Sequence, residues 1–181
     1  MLTLGLDISS SKIGSCILDE KENIIYSNSF IFKEKISLCE KAELFKHYIQ
    51  SLQHAHNIEK VIIESPFISM GGGMSSAQTI STLLSFNGMC QFIIYDLFKI
   101  VPTMVDVRAA RKLLGITIPR GIKKQTVKKQ IIIDYVVNKY KDSETPFEYN
   151  LTKHGNYVAG SDDRADALVI TLGGLKLEKT S

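Results

Sequence analysis

Val61, Ile62 and Ile63 form an unbroken apolar run that ends on Glu64 and is stopped by Pro66. β-branched residues favour extended chain, and a run that does not alternate suits a central strand covered on both faces. Such a strand demands a sheet with helices on either side. Near the start, Leu2, Leu4 and Leu6 alternate with Thr3, Gly5 and Asp7, which predicts a strand with Asp7 at its carboxyl end. Ile13 to Leu18 and Ile24 to Phe32 supply two more strands, the first turning around Asp19 to Asn23, so the opening reads as an antiparallel meander.

The period then changes. Leu38, Ala42, Phe45, Ile49 and Leu52 share a helical face from Ser37 to His56, and Ser37 followed by Glu40 has the form of a capping box. After the run at Val61 come a loop through Gly71, Gly72 and Gly73, a helix from about Ser75 to Phe98 and a strand near Thr103 to Val105. A short basic helix around Val107 to Leu114, a basic helix from roughly Lys123 to Tyr140, an aperiodic connection from Asp142 to Gly160, and a last helix from Ser161 or Asp162 to about Leu177 complete the chain. Three antiparallel strands followed by alternating helices and strands define an α/β fold: a mixed sheet, with the later strands parallel and helices on its faces. Active sites in such sheets lie at the carboxyl ends of central strands, where Asp7 and Glu64 both fall.

The 181 residues, 44% of them hydrophobic, suffice for one substantial core, and the expected organisation is a single domain over residues 1–181. The first strand begins at Leu2, leaving no room for a signal peptide. The apolar stretch from Phe92 to Val105 is broken by Asp96, Lys99 and Pro102, so no membrane span is expected, and the chain reads as soluble and cytoplasmic. Cys16, Cys39 and Cys90 are odd in number and far apart, which argues against a disulfide framework or a zinc site and for buried apolar thiols.

Charge is segregated. Arg108 to Lys141 holds ten of the 22 basic residues and one acid, Asp134, for a local charge of +9 within a chain of net +3. The rest of the chain is correspondingly acidic. A charge run alone is most simply a solvated helix face, but this separation fits a nucleic-acid surface.

A carboxylate at the end of an apolar strand loses hydration on burial, a cost that a cation, a donor or a raised pKa must offset. Asp7 and Glu64 are two such groups. In the final helix Ala165, Leu168, Val169, Leu172 and Leu175 mark an apolar stripe; Asp163 and Asp166 lie three residues apart, Asp166 close to the buried side and Asp163 in a first turn where an acid can simply favour the helix terminus. Asp162 is most simply a helix-terminus residue. Hard oxygen ligands without neighbouring Cys or His favour Mg²⁺ or Mn²⁺, and two ions about 4 Å apart could drive in-line phosphodiester hydrolysis without a protein nucleophile. Of the four histidines, at positions 47, 54, 56 and 154, only His154 has an approach to the acidic helix.

These residues resemble the RuvC family of Holliday-junction resolvases, which have an RNase H-like fold. The segments that carry the likeness are LGLDISSSKIGSCIL, VIIESPF, RKLLGI followed by KKQTVKKQI, and DDRADALVITL. Their order and intervals are specific, though no single one is decisive. The resemblance implies a Mg²⁺- or Mn²⁺-dependent endonuclease of branched DNA, especially four-way junctions, acting as a homodimer. It implies Asp7, Glu64, Asp163 and Asp166 as metal ligands and catalytic residues. Phe67 matches a bulky residue at the junction centre, where it would stack on a base or else fold into the core. Lys124, with Lys123 as its substitute if the alignment slips, matches a basic position at the scissile phosphate. Arg108, Arg111, Lys112, Arg120, Lys128 and Lys129 are candidates for backbone contacts.

Ile8 and Ser9 stand where bacterial members have Pro-Gly, the connection before the last helix is long, and the triple-Gly loop is unusual. These departures imply a divergent branch, with a phage origin and a host-cytoplasm location one option, and leave sequence preference open. Two other readings compete. Leu6 to Lys12 also resembles the first phosphate motif of actin-like ATPases and sugar kinases, and an inactive junction-binding protein would keep the surface without the chemistry.

Overall fold

The structure, a computed structural model, describes residues 1–33, 35–66, 77–122 and 124–180. β1 (Leu2–Ile8), β2 (Lys12–Leu18) and β3 (Ile24–Ile31) form the antiparallel meander. They are followed by α1 (Leu38–Ala55), β4 (Ile58–Glu64), α2 (Ala77–Phe98) and β5 (Thr103–Val105). α3 (Val107–Leu113), α4 (Gln125–Lys139) and α5 (Ser161–Thr180) end the chain. The strands order as β3-β2-β1-β4-β5, with β4 parallel to both β1 and β5. β1 and β4 are therefore central, as their apolar content requires.

Strand alternation divides the core in two. Leu4, Leu6, Ile8, Val61 and Ile63 face α1 and α2, packing on Phe45, Ile49, Phe86 and Ile94. α1 starts as its sequence predicts: Glu40 donates its backbone N–H to the Ser37 hydroxyl, and Ser37 returns its own to the Glu40 carboxylate. On the other face Cys16, Leu18, Ile62 and Val105 meet α3, α4 and α5. Gly5 and Gly14 make this approach possible, because a Cβ at Gly5 would overlap the Thr171 hydroxyl and one at Gly14 would overlap the Asp163 carbonyl.

Two expectations need correction. α5 has no single apolar stripe: from Ala165 to Leu175 every residue except Asp166 is buried. The helix is wedged between the sheet and α3 with α4, so it must be apolar all round. Cys39 lies exposed on α1, whereas Cys16 and Cys90 are buried thiols; burial pushes Cys16 up to about 12 despite a contact with Thr171. Asp162 lies in the first turn of α5, as its reading as a helix-terminus residue expects, and its carboxylate is also paired with lysines. Among the described residues no helix is long and apolar enough to cross a membrane.

Candidate active site

Asp7 and Glu64 reach the α5 face by the same alternation that sends Leu6 and Ile63 to the opposite one. Leu6 and Ile63 are partners in the parallel ladder, so the two acids that follow them stand side by side at the carboxyl end of the sheet. Gly14 is the antiparallel partner of Asp7, and α5 lays the backbone of Asp163 directly over it. One turn on, Asp166 faces the same space. Four carboxylates from three distant segments thus meet at one end of the sheet.

Their electrostatics follow from that crowding. Burial raises the Asp7 pKa well above the ordinary carboxylate value, reinforced by the charges of Glu64 and Asp166, by a hydrogen bond with Glu64 and by the charge of Asp163. Burial also raises Glu64, against the opposing effect of its hydrogen bond with Asp7. Asp166 is raised by burial as well, although the Arg111 guanidinium partly counters it. For Asp162 burial is outweighed by Lys129 and Lys12, and its pKa is lowered.

Two cations enter the cluster. Lys12, at the start of β2, places its Nζ 2.5 Å from Asp163 and 3.3 Å from Asp162. Arg111, on α3, places a guanidinium nitrogen 3.0 Å from Asp166. Ser29 donates its hydroxyl to the second Asp163 oxygen at 3.1 Å. Lys129 of α4 pairs with Asp162. As they stand, with Lys12 and Arg111 occupying two of the four acids, no three Asp, Glu, His or Cys side chains among the described residues are grouped to grip one ion. The donor set still fits a hard divalent cation: all oxygen, largely buried, and so crowded that Asp7 resists ionisation.

The expected DNA-contact residues separate. Arg111 was expected on a phosphate-binding surface, but it turns onto Asp166 where α3 packs against α5, whereas Lys129 is exposed and pairs with Asp162. Lys112, Arg120 and Lys124 are exposed, and Lys128 is half-buried. Arg108 is exposed and pairs with Asp106, whose carboxylate caps α3 by accepting from the backbone of Arg108 and Ala109. Lys124 occupies the position before α4 with no side-chain cap bond and no ion pair to the cluster. His154 is exposed in the irregular connection. Phe67, Lys123 and the Gly71 to Gly73 loop lie outside the described residues. A cavity of about 560 Å³ opens beside Asp162 between α4 and residues 155–159, with Lys129, Gln130 and Asn156 among its walls.

Lys12 and Ser29 join the site only through the tertiary structure. In the sequence Lys12 stands out only as the end of a phosphate-loop-like string. No local signal ties either residue to Asp163, 151 and 134 positions away respectively.

No family model and no curated protein matches the sequence. Solved structures do. Thermus thermophilus RuvC in complex with Holliday junction substrate superposes with a TM-score of 0.68 at 12% identity, over 100% of this chain and 96% of that one. Another Thermus thermophilus RuvC structure gives 0.62 at 15% identity, over 99% and 96%. The yeast mitochondrial Holliday junction resolvase Ydc2 gives 0.61 at 13% identity, over 98% of this chain and 78% of that one. From end to end, the chain has a RuvC-like fold of the RNase H type.

Proposed function

We propose that this protein is a metal-dependent endonuclease that resolves four-way DNA junctions and related branched DNA by phosphodiester hydrolysis. The observation that carries the reading is the convergence of Asp7 and Glu64, at adjacent strand ends, with Asp163 and Asp166 of α5. These four residues would hold Mg²⁺ or Mn²⁺, which when bound supplies charge neutralisation at the scissile phosphate and lowers the pKa of the attacking water. The chain's own part is orientation. β1 and β4 fix Asp7 and Glu64 on a rigid sheet, and the close seat of α5 on Gly14 fixes Asp163 beside them.

DNA would approach along the basic side chains of residues 108–128, with the exposed Lys112, Arg120 and Lys124 and the half-buried Lys128 contacting phosphates. Lys124 is assigned to the phosphate near the cut. A two-fold dimer would present two such sites to opposing strands of a junction, and the outer side of α2 suits self-association. Leu84, Gly88, Phe92 and Tyr95 fall on one exposed stripe there, with Phe92 69% accessible.

Cleavage of a labelled four-way junction in Mg²⁺ tests the reading. Asp7→Asn and Glu64→Gln should each lose about 10²–10³-fold or more in nicking rate while still binding the junction, and Lys124→Ala should weaken binding or cleavage. Unchanged nicking in both acid variants would overturn the site. ATP hydrolysis without nicking would move the protein to the phosphotransferase class, and junction binding without cleavage across Mg²⁺ and Mn²⁺ would leave a binding protein.

A further inference from the structure

The four carboxylates are not equivalent in their neutralisation. Asp7 and Glu64 share a hydrogen bond, Asp166 has Arg111, and Asp163 has Lys12. Lys12 differs from Arg111 in its freedom. Its backbone is pinned, since Ser9 Oγ accepts from the Lys12 N–H at 3.1 Å and donates to the Lys12 carbonyl at 2.8 Å. Its side chain, however, is 31% accessible, whereas the Asp163 side chain is 7% accessible and is also held by Ser29. If this pair opens, the lysine moves and the acid stays. A second acceptor lies within reach, because Asp162 is 3.3 Å from the same ammonium. Arg111 is more enclosed, with a side chain 25% accessible and its Nε buried without a partner among the described residues.

We propose that Lys12 is the resident counter-cation of the carboxylate cluster, occupying Asp163 in the metal-free protein and yielding it by a short shift toward Asp162 when a divalent ion loads. Lys12 then sets the metal concentration at which the site fills. This rests on the metal-dependent reading above. An ammonium beside Asp163 repels an incoming cation and takes lone pairs that the ion needs, so each increment of metal binding must first displace it. Lys12 is thus a positioning and affinity-setting residue, with no assigned contact to DNA.

Calorimetric titration of Mn²⁺ into the full-length protein, paired with thermal melting in EDTA, tests this. Lys12→Met should bind Mn²⁺ about tenfold more tightly and melt lower in EDTA, while Lys12→Arg should stay near wild type. Lys12→Gln, which keeps a hydrogen bond to Asp163 without the charge, should show the same gain if the Met variant folds poorly. A purely structural ion pair would lower the melting temperature and leave Mn²⁺ affinity unchanged or weaker, and that result overturns the proposal. Asp7→Asn serves as the control for the underlying reading. If wild type takes up no Mn²⁺, the carboxylate site itself fails and the inference with it; if wild type binds, Asp7→Asn abolishes binding and Lys12→Met changes nothing, only the inference fails.

Discussion

Beneath α1 and α2 the sheet offers Leu4, Leu6, Ile8, Val61 and Ile63 to Phe45, Ile49, Phe86 and Ile94, hydrocarbon against hydrocarbon. Beneath α5 the same two central strands offer Gly5, Asp7, Ile62 and Glu64 to a helix that carries Asp163, Asp166 and Thr171. Adjacent residues of one strand therefore serve opposite ends: burying hydrocarbon on one side, and on the other holding carboxylates that resist ionisation. The first face gives a rigid platform. The second uses that rigidity to keep like charges together that would separate in water. A site of this kind is stable because its destabilising face and its stabilising face share a backbone.

The largest effect should come from the apolar face. Phe86→Ala removes a fully buried ring that meets Phe32 edge-on at 5.5 Å between centroids. It should cost about 3–5 kcal/mol in urea unfolding while leaving Mn²⁺ binding intact in the folded fraction. Loss of metal binding at full folding would show that the two faces are not separable in this way.

A smaller effect of opposite sign is expected across the sheet. The Asp7 pKa is raised on folding, so the native state holds a proton that the unfolded chain releases near 3.8. Unfolding then releases protons, and the stability of the metal-free protein falls as pH climbs from that ordinary carboxylate value through the raised native one. Asp7→Asn removes the Asp7 share of this dependence, leaving that of Glu64 and Asp166. In EDTA at neutral pH it should melt higher than wild type, with the difference vanishing below the ordinary carboxylate pKa. A variant that melts lower at neutral pH would mean that Asp7 stabilises the fold as an anion.

The smallest change in stability should be on the outer side of α2, which faces neither core. Phe92→Glu should alter unfolding by less than about 0.5 kcal/mol but shift sedimentation from dimer to monomer. A wild-type protein that sediments as a monomer would remove the dimer from the proposed function and return Phe92 to the status of an isolated surface aromatic.

Much of this arrangement is legible in the chain because it depends on local period. Alternation at Leu2 to Asp7 and the run at Val61 to Glu64 place two carboxylates at strand ends, and the Ser37 and Glu40 pair marks the start of α1 to the residue. The last helix is legible as a helix with an apolar stripe, but not as one enclosed all round: Thr171, Gly173 and Gly174 are small because the sheet and α3 press against them. The basic segment misled in a related way. Arg111 belongs to its charge count, but helix packing turns it onto Asp166, whereas Lys112, Arg120, Lys124 and Lys129 stay at the surface.

The sequence by itself determined the element order, the two faces of each strand and the presence of acids at the sheet's carboxyl end, because periodicity and residue type act over a few positions. Only the tertiary structure decided which cation meets which acid. Lys12 and Asp163 lie 151 residues apart, and their contact depends on α5 descending over Gly14 in the one register that lays the Asp163 backbone on a residue without a side chain. That register comes from close packing across the whole helix, and no short stretch of sequence contains it.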